Sequence, residues 1–573
     1  MKKILLFAIV TLFSISVFAE TVFEHNGVYY KKTSSTTACV IANPDGTKYS
    51  GDIVIAAIPK SGVLTTAIAD SAFFKCTELT SIDLPTSIAA IGKESFRACY
   101  LLKLIELPNI TNVPYDAFAN CNKLESVDIS NVTTIDEAAF YGCSSLKSIS
   151  DLSNVKEIPR YAFYSCNSLK SINIPNVITI GERAFQGCAF DTIDLPKVET
   201  IGISAFISCK NLRSINMPKV RIIESAALYY CALTSLNLPA TLDSIGGYAL
   251  SHNSGLKYIT IDEANENFAV RDNVLYDKDF TKLIQYPIGQ DSLSFSVLNT
   301  VTTIGSGAFA HCKYVERVDM PNVEIIESSA FGYCKYLKSI NIPNVTKIGY
   351  RAFSYCDYLQ KVVLGNKVDS IEYEAFRECP SLDTFRITAA MPPVLEDDVF
   401  KDTPSDVLIQ VPCGASSLYK RVEGWNNFKN YEEVVPMVTV MSNDEKMGVV
   451  VLDRQTTCDN PTAEIEAMPR LGYEFVKWSD ESTENPRVVT VEDKDITLTA
   501  IFQKIGTDVE NVGIEGAIIY SDGNTLYVDG LDSEYQIYST TGALIYSGNA
   551  NQITLTQGIY IIRYNGMSEK VIL

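Results

Sequence analysis

The sequence predicts a mainly-β, right-handed solenoid of about 13 coils with short parallel strands, followed by two small β domains. Three observations carry this expectation. Cys76, Cys99, Cys121, Cys143, Cys166, Cys188, Cys209 and Cys231 follow one another at intervals of 21 to 23 residues, and Cys312, Cys334, Cys356 and Cys379 resume the interval. A phenylalanine lies three residues before nearly all of them, as at Phe140 and Phe353, and an aliphatic residue lies eight before, as at Ile135 and Ile348. After each cysteine comes a leucine-type residue and a short alternating strand, as in Leu169-Lys170-Ser171-Ile172-Asn173-Ile174-Pro175. The unit at Ile245 to Ile261 keeps this frame with Asn253 in the cysteine position. A fixed period of this size marks stacked supersecondary units, none of which buries its apolar face alone.

Taken in order, the chain opens on an export signal over residues 1–19. Lys2 and Lys3 precede an apolar run from Ile4 to Val17, and Val17-Phe18-Ala19 offers a cleavage site. Residues 20–62 read as a β cap, with a turn at Asn43-Pro44-Asp45-Gly46 between strand-like runs. Coils are expected over 63–390. One break, at about 262–300, reads as a hairpin insert projecting from the array. Residues 391–432, with Gly424-Trp425 and Phe428, are expected to close the last coil. A separate β domain over 433–505, a linker at 506–513 and a last β domain over 514–573 complete the chain.

Charge narrows the partners. The formal net charge of −20 becomes −22 once the signal and its two lysines are removed. Nucleic acid is therefore not an expected partner, and neutral, basic or calcium-bridged ligands are. Fifteen cysteines in an exported chain would suggest disulfides. Yet successive coils lie about 5 Å apart, which sets the Cβ vectors of the ladder parallel, and Asn253 shares the ladder. The ladder thiols are read as packed core. The three histidines, His25, His252 and His311, are read as surface decoration rather than metal ligands; the last two both lie just before the ladder residue of their coils. No Gly-rich phosphate loop, HExxH or nucleophile elbow appears. No catalytic residue, metal or cofactor is expected, and the chain is not read as an enzyme.

The A-F-x-x-C core and I-x-I-P strand resemble the BspA-like, or Treponema pallidum type, leucine-rich repeats over roughly Val63 to Ala390. Val411-Pro412 to Phe428 looks like the cap that ends such arrays. Gly472-Tyr473 to Trp478-Ser479-Asp480, with Asn485-Pro486 and Ala500-Ile501-Phe502, is similar to the InlB B-type repeat. The ending Gly558-Ile559-Tyr560 with Lys570-Val571-Ile572-Leu573 looks like a type IX secretion C-terminal sorting domain, without the tyrosine-proline-asparagine-proline opening common to such domains. The resemblance implies a leucine-rich-repeat solenoid delivered by secretion machinery at the outer membrane of a Gram-negative cell, displayed on its surface or released. Members of the family are linked to adhesion to host proteins or other bacteria.

Two columns are candidate binding residues. On the strand, the outward position seven after the cysteine (six in the Cys188 unit) holds Asp83, Asp128, Asp194 and Asp319, with Asn at the same place in other coils. In the second column Tyr314, Tyr336 and Tyr358 lie two residues after successive cysteines, beside Tyr333 and Tyr355. Tyrosines in register offer contact area with little entropy to lose and a hydroxyl to pair; mutual stacking that only stiffens the array is the competing role. The function expected is adhesion, through an extracellular protein or glycan ligand. The alternative is a structural spacer or display scaffold without a ligand of its own.

Overall fold

A computed structural model describes residues 21–504, except 108, 471 and 492–494, and residues 518–572, except 523–524, 530–533, 557 and 565–566. The expected signal, 1–19, and linker, 506–513, lie outside the described residues. The chain forms two compact units: the first runs to Pro436 and takes in Thr457–Pro461, and the second holds the strands from Met437 onward. Among the described residues, helix is confined to Ser416–Tyr419 and a 3-10 turn at Trp425–Asn427.

A typical coil of the first unit is built from three runs of chain that pair in register with the next coil. A strand such as Ser126–Asp128 pairs parallel with Leu104–Glu106 and with Ser148–Ile149. A two-residue strand such as Thr134–Ile135 pairs parallel with Asn112–Val113. The third run is the cysteine turn, which carries a backbone ladder of its own: Phe96 N–H donates to Ala117 O and Ala98 N–H to Ala119 O. The turn closes because two residues of each coil adopt left-handed backbone, five before and one before the cysteine, as at Ser329 (φ 49°) and Tyr333 (φ 60°). No Val, Ile or Thr occupies either column, consistent with the strain a β-branched side chain meets at positive φ.

The repeat marks face inward. Phe73, Phe96, Phe118, Phe140 and Phe163 are fully buried and stack with centroids 5.2 to 5.4 Å apart. The ladder cysteines are buried free thiols. All but Cys76 and Cys312, which follow turns carrying Tyr49 and Tyr286, donate to the carbonyl of the phenylalanine one coil back, Cys121 to Phe96 O at 3.0 Å and Cys143 to Phe118 O at 3.1 Å. Asn253 keeps the same bond: its Nδ2 donates to Leu228 O at 2.9 Å, where Leu228 holds the phenylalanine position, and also to Leu250 O at 2.7 Å. A ladder thiol is thus a small apolar filler with one donor, and an amide can replace it.

The array makes about 17 turns, more than the 13 counted from the cysteine frame. Turns without a ladder cysteine also stack: Tyr49 lies on Phe73 at 5.0 Å, Tyr286 on Phe309 at 4.9 Å and Phe400 on Phe376 at 5.6 Å. The expected insert forms a hairpin, Phe268–Arg271 with Val274–Asp277, and then a third strand, Lys282–Gln285, which pairs parallel with Thr303–Ile304. The segment is spliced into the wall and does not simply project. Alternation on Val274–Asp277 divides the core: Leu275 joins the hydrophobic cluster of the earlier coils, while Val274 and Tyr276 join that of the later coils. Asn265, fully buried, closes the preceding coil by donating to the carbonyls of Pro239, Ala240 and Leu242.

In the second unit, residues from Met437 to Lys504 form two three-stranded sheets around Trp478, Ile465, Ala500 and Phe502. Trp478 is completely buried and its Nε1 donates to Glu484 O at 3.0 Å, so the one polar atom of its ring is satisfied. The strands from Ile518 onward form a three-stranded and a four-stranded sheet, with Leu526, Tyr535, Ile537 and Ile562 in the core.

Candidate interaction surface

What the array offers a partner is its outward positions. Asp83, Asp128, Asp194 and Asp319 are exposed on the strand wall, where alternation sends their apolar neighbours Ile82, Val127, Ile193 and Val318 inward. Residues of that wall also engage one another between neighbouring coils. Asn216 donates to Asp194 at 2.6 Å and Asn173 to Asp151 at 2.9 Å. Among the described residues no group of three His, Cys, Asp or Glu could hold a metal ion.

The tyrosines are placed on the cysteine turn, and the structure separates them into two columns. Tyr314, Tyr336 and Tyr358 are 45%, 48% and 52% exposed. Tyr336 and Tyr358 stack with centroids 5.5 Å apart and planes within 6°. Tyr333 and Tyr355 belong to a longer stack in the position just before the cysteine: Tyr230, His252, His311, Tyr333 and Tyr355, with successive centroids at 4.1, 3.6, 4.6 and 4.5 Å. Lys210 lies over the outer face of this stack at Tyr230, 5.0 Å from the ring, and Arg377 over the other end at Tyr355, 5.8 Å away. Its ring faces are therefore covered, and edges and hydroxyls are what remain for contact.

His252 and His311 are not surface decoration. They are 59 residues apart in sequence, yet the turn ladder passes directly from one coil to the other, with Tyr248 N–H donating to Ser306 O, so the two rings meet. Burial first, then His252, pushes His311 down to about 3, and burial with Lys313 nearby lowers His252. Both shifts favour the neutral rings, which lie against each other without like-charge repulsion. The sequence signal was their shared register with Tyr333 and Tyr355.

A second aromatic cluster was not singled out from sequence. Tyr141 and Tyr164 stack at 4.7 Å, Tyr161 meets both edge-on, and Arg160 covers Tyr161 at 4.5 Å. The one disulfide was also missed: Cys413 and Cys458, both in the first unit, are bonded with Cα atoms 5.5 Å apart. They have no place in the cysteine period, but neither has Cys39, which is a buried free thiol, so spacing alone does not mark the pair.

The ladder thiols offer no nucleophile. Burial pushes Cys76 up to about 11 and Cys209 up to about 12, so the reactive thiolate is not populated. A cavity of about 270 Å³ lies at the splice, lined by Tyr248, Lys282, Gln285 and Glu327 among others. Its polar groups already have partners: Lys282 pairs with Glu327 at 2.5 Å, Glu327 accepts from Ser306, and Gln285 donates to Tyr286 O and Ala308 O. It is the gap left where the inserted strand replaces a regular coil.

Parallel walls, a buried Phe and Cys ladder and exteriors that change from coil to coil define a leucine-rich-repeat solenoid, a class of scaffold that works in general by protein interaction. The chain belongs to the family described as the BspA type leucine rich repeat region, whose model matches residues 66–190, 178–287 and 289–405, more than half of the chain. A divergent InlB B-repeat domain matches residues 438–506. Among solved structures, the chain is similar in fold to a leucine rich cell surface protein from Faecalibacterium prausnitzii, at 24% identity over 73% of this chain and 99% of that one, with a TM-score of 0.46. It is also similar to a leucine-rich repeat protein from Bacteroides ovatus, at 20% identity over 72% and 99%, TM-score 0.38, and to the pneumococcal vaccine antigen PcpA, at 16% over 72% and 99%, TM-score 0.36. No curated protein matches the chain. Among the described residues no helix is long and apolar enough to cross a membrane.

Proposed function

We propose that this protein is an exported, non-enzymatic adhesin-like module of the cell surface, which binds an extracellular protein or glycan through the outward residues of its array. The observation that carries the reading is the column Tyr314, Tyr336 and Tyr358, three rings about half exposed on successive coils. Half-exposed tyrosine rings lose little entropy on binding and each brings a hydroxyl to pair, which suits a partner that lies along the array. The disulfide and the signal-like N-terminus support an oxidising, extracellular setting. The alternative, a spacer without a ligand, draws on the covered faces of the five-ring stack, which stiffen the array whether or not anything binds.

Binding of the purified chain to extracellular-matrix proteins and a glycan array, beside a variant with Tyr314, Tyr336 and Tyr358 all changed to Ala, tests this. Binding that falls at least tenfold in the variant is expected. Binding that survives removes the tyrosine column from the site, and no binding to any probe favours the spacer. Protease treatment of intact cells should release array fragments; an inaccessible array contradicts surface display.

A further inference from the structure

The chain as a whole is strongly acidic, yet one band of its wall, which stops two residues short of the exposed Asp319, is not. On the three coils after the splice, the residues from one to five after the cysteine read Lys313-Tyr314-Val315-Glu316-Arg317, Lys335-Tyr336-Leu337-Lys338-Ser339 and Asp357-Tyr358-Leu359-Gln360-Lys361. Within them are five cations and two carboxylates, in a protein of net charge −20. Both carboxylates are committed: Asp357 pairs with Lys335 at 3.2 Å and Glu316 with Lys338 at 2.7 Å. Lys313, Arg317 and Lys361 are exposed, and among the described residues no ion pair engages them. Arg317, Ser339 and Lys361 are register partners on adjacent strands, which sets the outer two about 10 Å apart.

The apolar residues between these groups, Val315, Leu337 and Leu359, are buried. The wall therefore shows a partner cations and tyrosine edges, with no exposed aliphatic side chain to anchor a desolvated hot spot of the kind protein interfaces use. Its resource is repetition: the same two chemistries, cation and phenol, return coil after coil. A partner that gains from repetition is a polymer with regularly repeated anionic and hydroxyl groups, because each weak contact after the first is effectively intramolecular. The surrounding acidic surface repels the same polymer elsewhere on the molecule, so the wall is also selective for position.

We propose that the wall formed by Lys313 to Arg317, Lys335 to Ser339 and Asp357 to Lys361 binds an acidic glycan, a sulfated or carboxylated polysaccharide lying along the array. This rests on the adhesive reading above and names its ligand class. Lys313, Arg317 and Lys361 supply the free charge, and Tyr314, Tyr336 and Tyr358 supply hydroxyl donors and ring edges between them.

The test measures binding of the full chain to heparin, hyaluronate and neutral dextran at two salt concentrations. Two charge-reversed variants are compared: K313E/R317E/K361E on the wall, and K103E/K123E/K170E on exposed positions of the earlier coils, which make the same change in net charge. Far-ultraviolet circular dichroism and melting curves matched to the parent show that both variants fold. The expected result is binding to heparin or hyaluronate but not dextran, weakened at least tenfold between 50 and 200 mM salt. The wall variant should lose at least tenfold and the control less than threefold. Equal losses in the two variants would mean that only net charge matters and would overturn the assignment to this wall. Equal binding of single-stranded DNA would overturn the glycan and leave a general polyanion site. No polyanion binding, beside tyrosine-dependent binding to a protein or neutral glycan, would sink this inference while the adhesive reading stands; no binding to any probe would remove both.

Discussion

The coils before and after the splice share an interior and differ outside. Phe140 and Phe353 are both fully buried and stacked at about the same spacing on both neighbours, and Cys143 and Cys356 make the same bond to the phenylalanine carbonyl one coil back. Just after the cysteine, though, the earlier coils carry Asn122-Lys123, Ser144-Ser145 and Asn167-Ser168, where the later ones carry Lys313-Tyr314, Lys335-Tyr336 and Asp357-Tyr358. Interior identity keeps the coils stackable. Exterior difference is where a binding specificity can be placed without cost to the fold.

The largest expected effect tests the shared interior. Phe140→Ala and Phe353→Ala should each destabilise by about 3 to 5 kcal/mol, through lost burial and the cavity left in the ladder. Equal drops in melting temperature support the comparison; a clear inequality breaks it. Next comes the disulfide at the end of the array. Cys413→Ser with Cys458→Ser should cost about 2 to 4 kcal/mol by freeing the unfolded chain. Titration of the unfolded, unreduced parent should find 13 free thiols, and a lower number would mean that ladder cysteines pair.

At the splice itself, Asn253→Ala removes the donors to Leu228 O and Leu250 O and the acceptor for Leu233 N–H. A loss of about 1 to 3 kcal/mol is expected, with Asn253→Cys recovering part of it if the ladder accepts either residue. Mild acid should act at the same place. His311 is depressed in the folded state, so its contribution is intact above the unfolded value of about 6.5 and is lost as pH falls from there toward about 3. His311→Tyr, which copies Tyr333, should flatten that part of the stability profile; an unchanged slope would place the acid sensitivity elsewhere. The smallest effect belongs to the exterior. Tyr336→Ala should cost no more than about 1.5 kcal/mol, the worth of one exposed stack, while weakening ligand binding. A larger loss would mean that the exterior column also holds the fold.

Most of the fold could be read in the sequence because a solenoid writes its core periodically. Phe140, Cys143 and Leu146 recur at a period that only stacked coils satisfy. Asn253 could be placed by frame alone, although its three hydrogen bonds could not. The contact between His252 and His311 stayed hidden because it depends on whether the intervening segment projects or is spliced into the wall. That choice is made by alternation on one strand, where Leu275 turns to one cluster and Val274 and Tyr276 to the other. Spacing likewise put Tyr333 and Tyr355 in a column but said nothing about ring orientation, and orientation decides that their faces are covered. The Cys413–Cys458 pair lies outside the repeat, so no period could reveal it.

The two left-handed columns of the cysteine turn also bear on how such an array diversifies. At the position before the cysteine the backbone already disfavours Val, Ile and Thr, and the side chain there lies outside the hydrophobic core clusters, exposed at Lys75 and Tyr230 and buried at Ala98. Lys75, Ala98, Asn120, Ser165, Tyr230, His252 and Glu378 all occupy it. Substitutions at this site are filtered first by backbone strain and then by contact with the same column of the adjoining coils, not by the core. Charge and ring chemistry can therefore drift there, provided the residue is unbranched at Cβ. An aromatic stack could be assembled one coil at a time along a column that the fold had already cleared of its strongest strand formers.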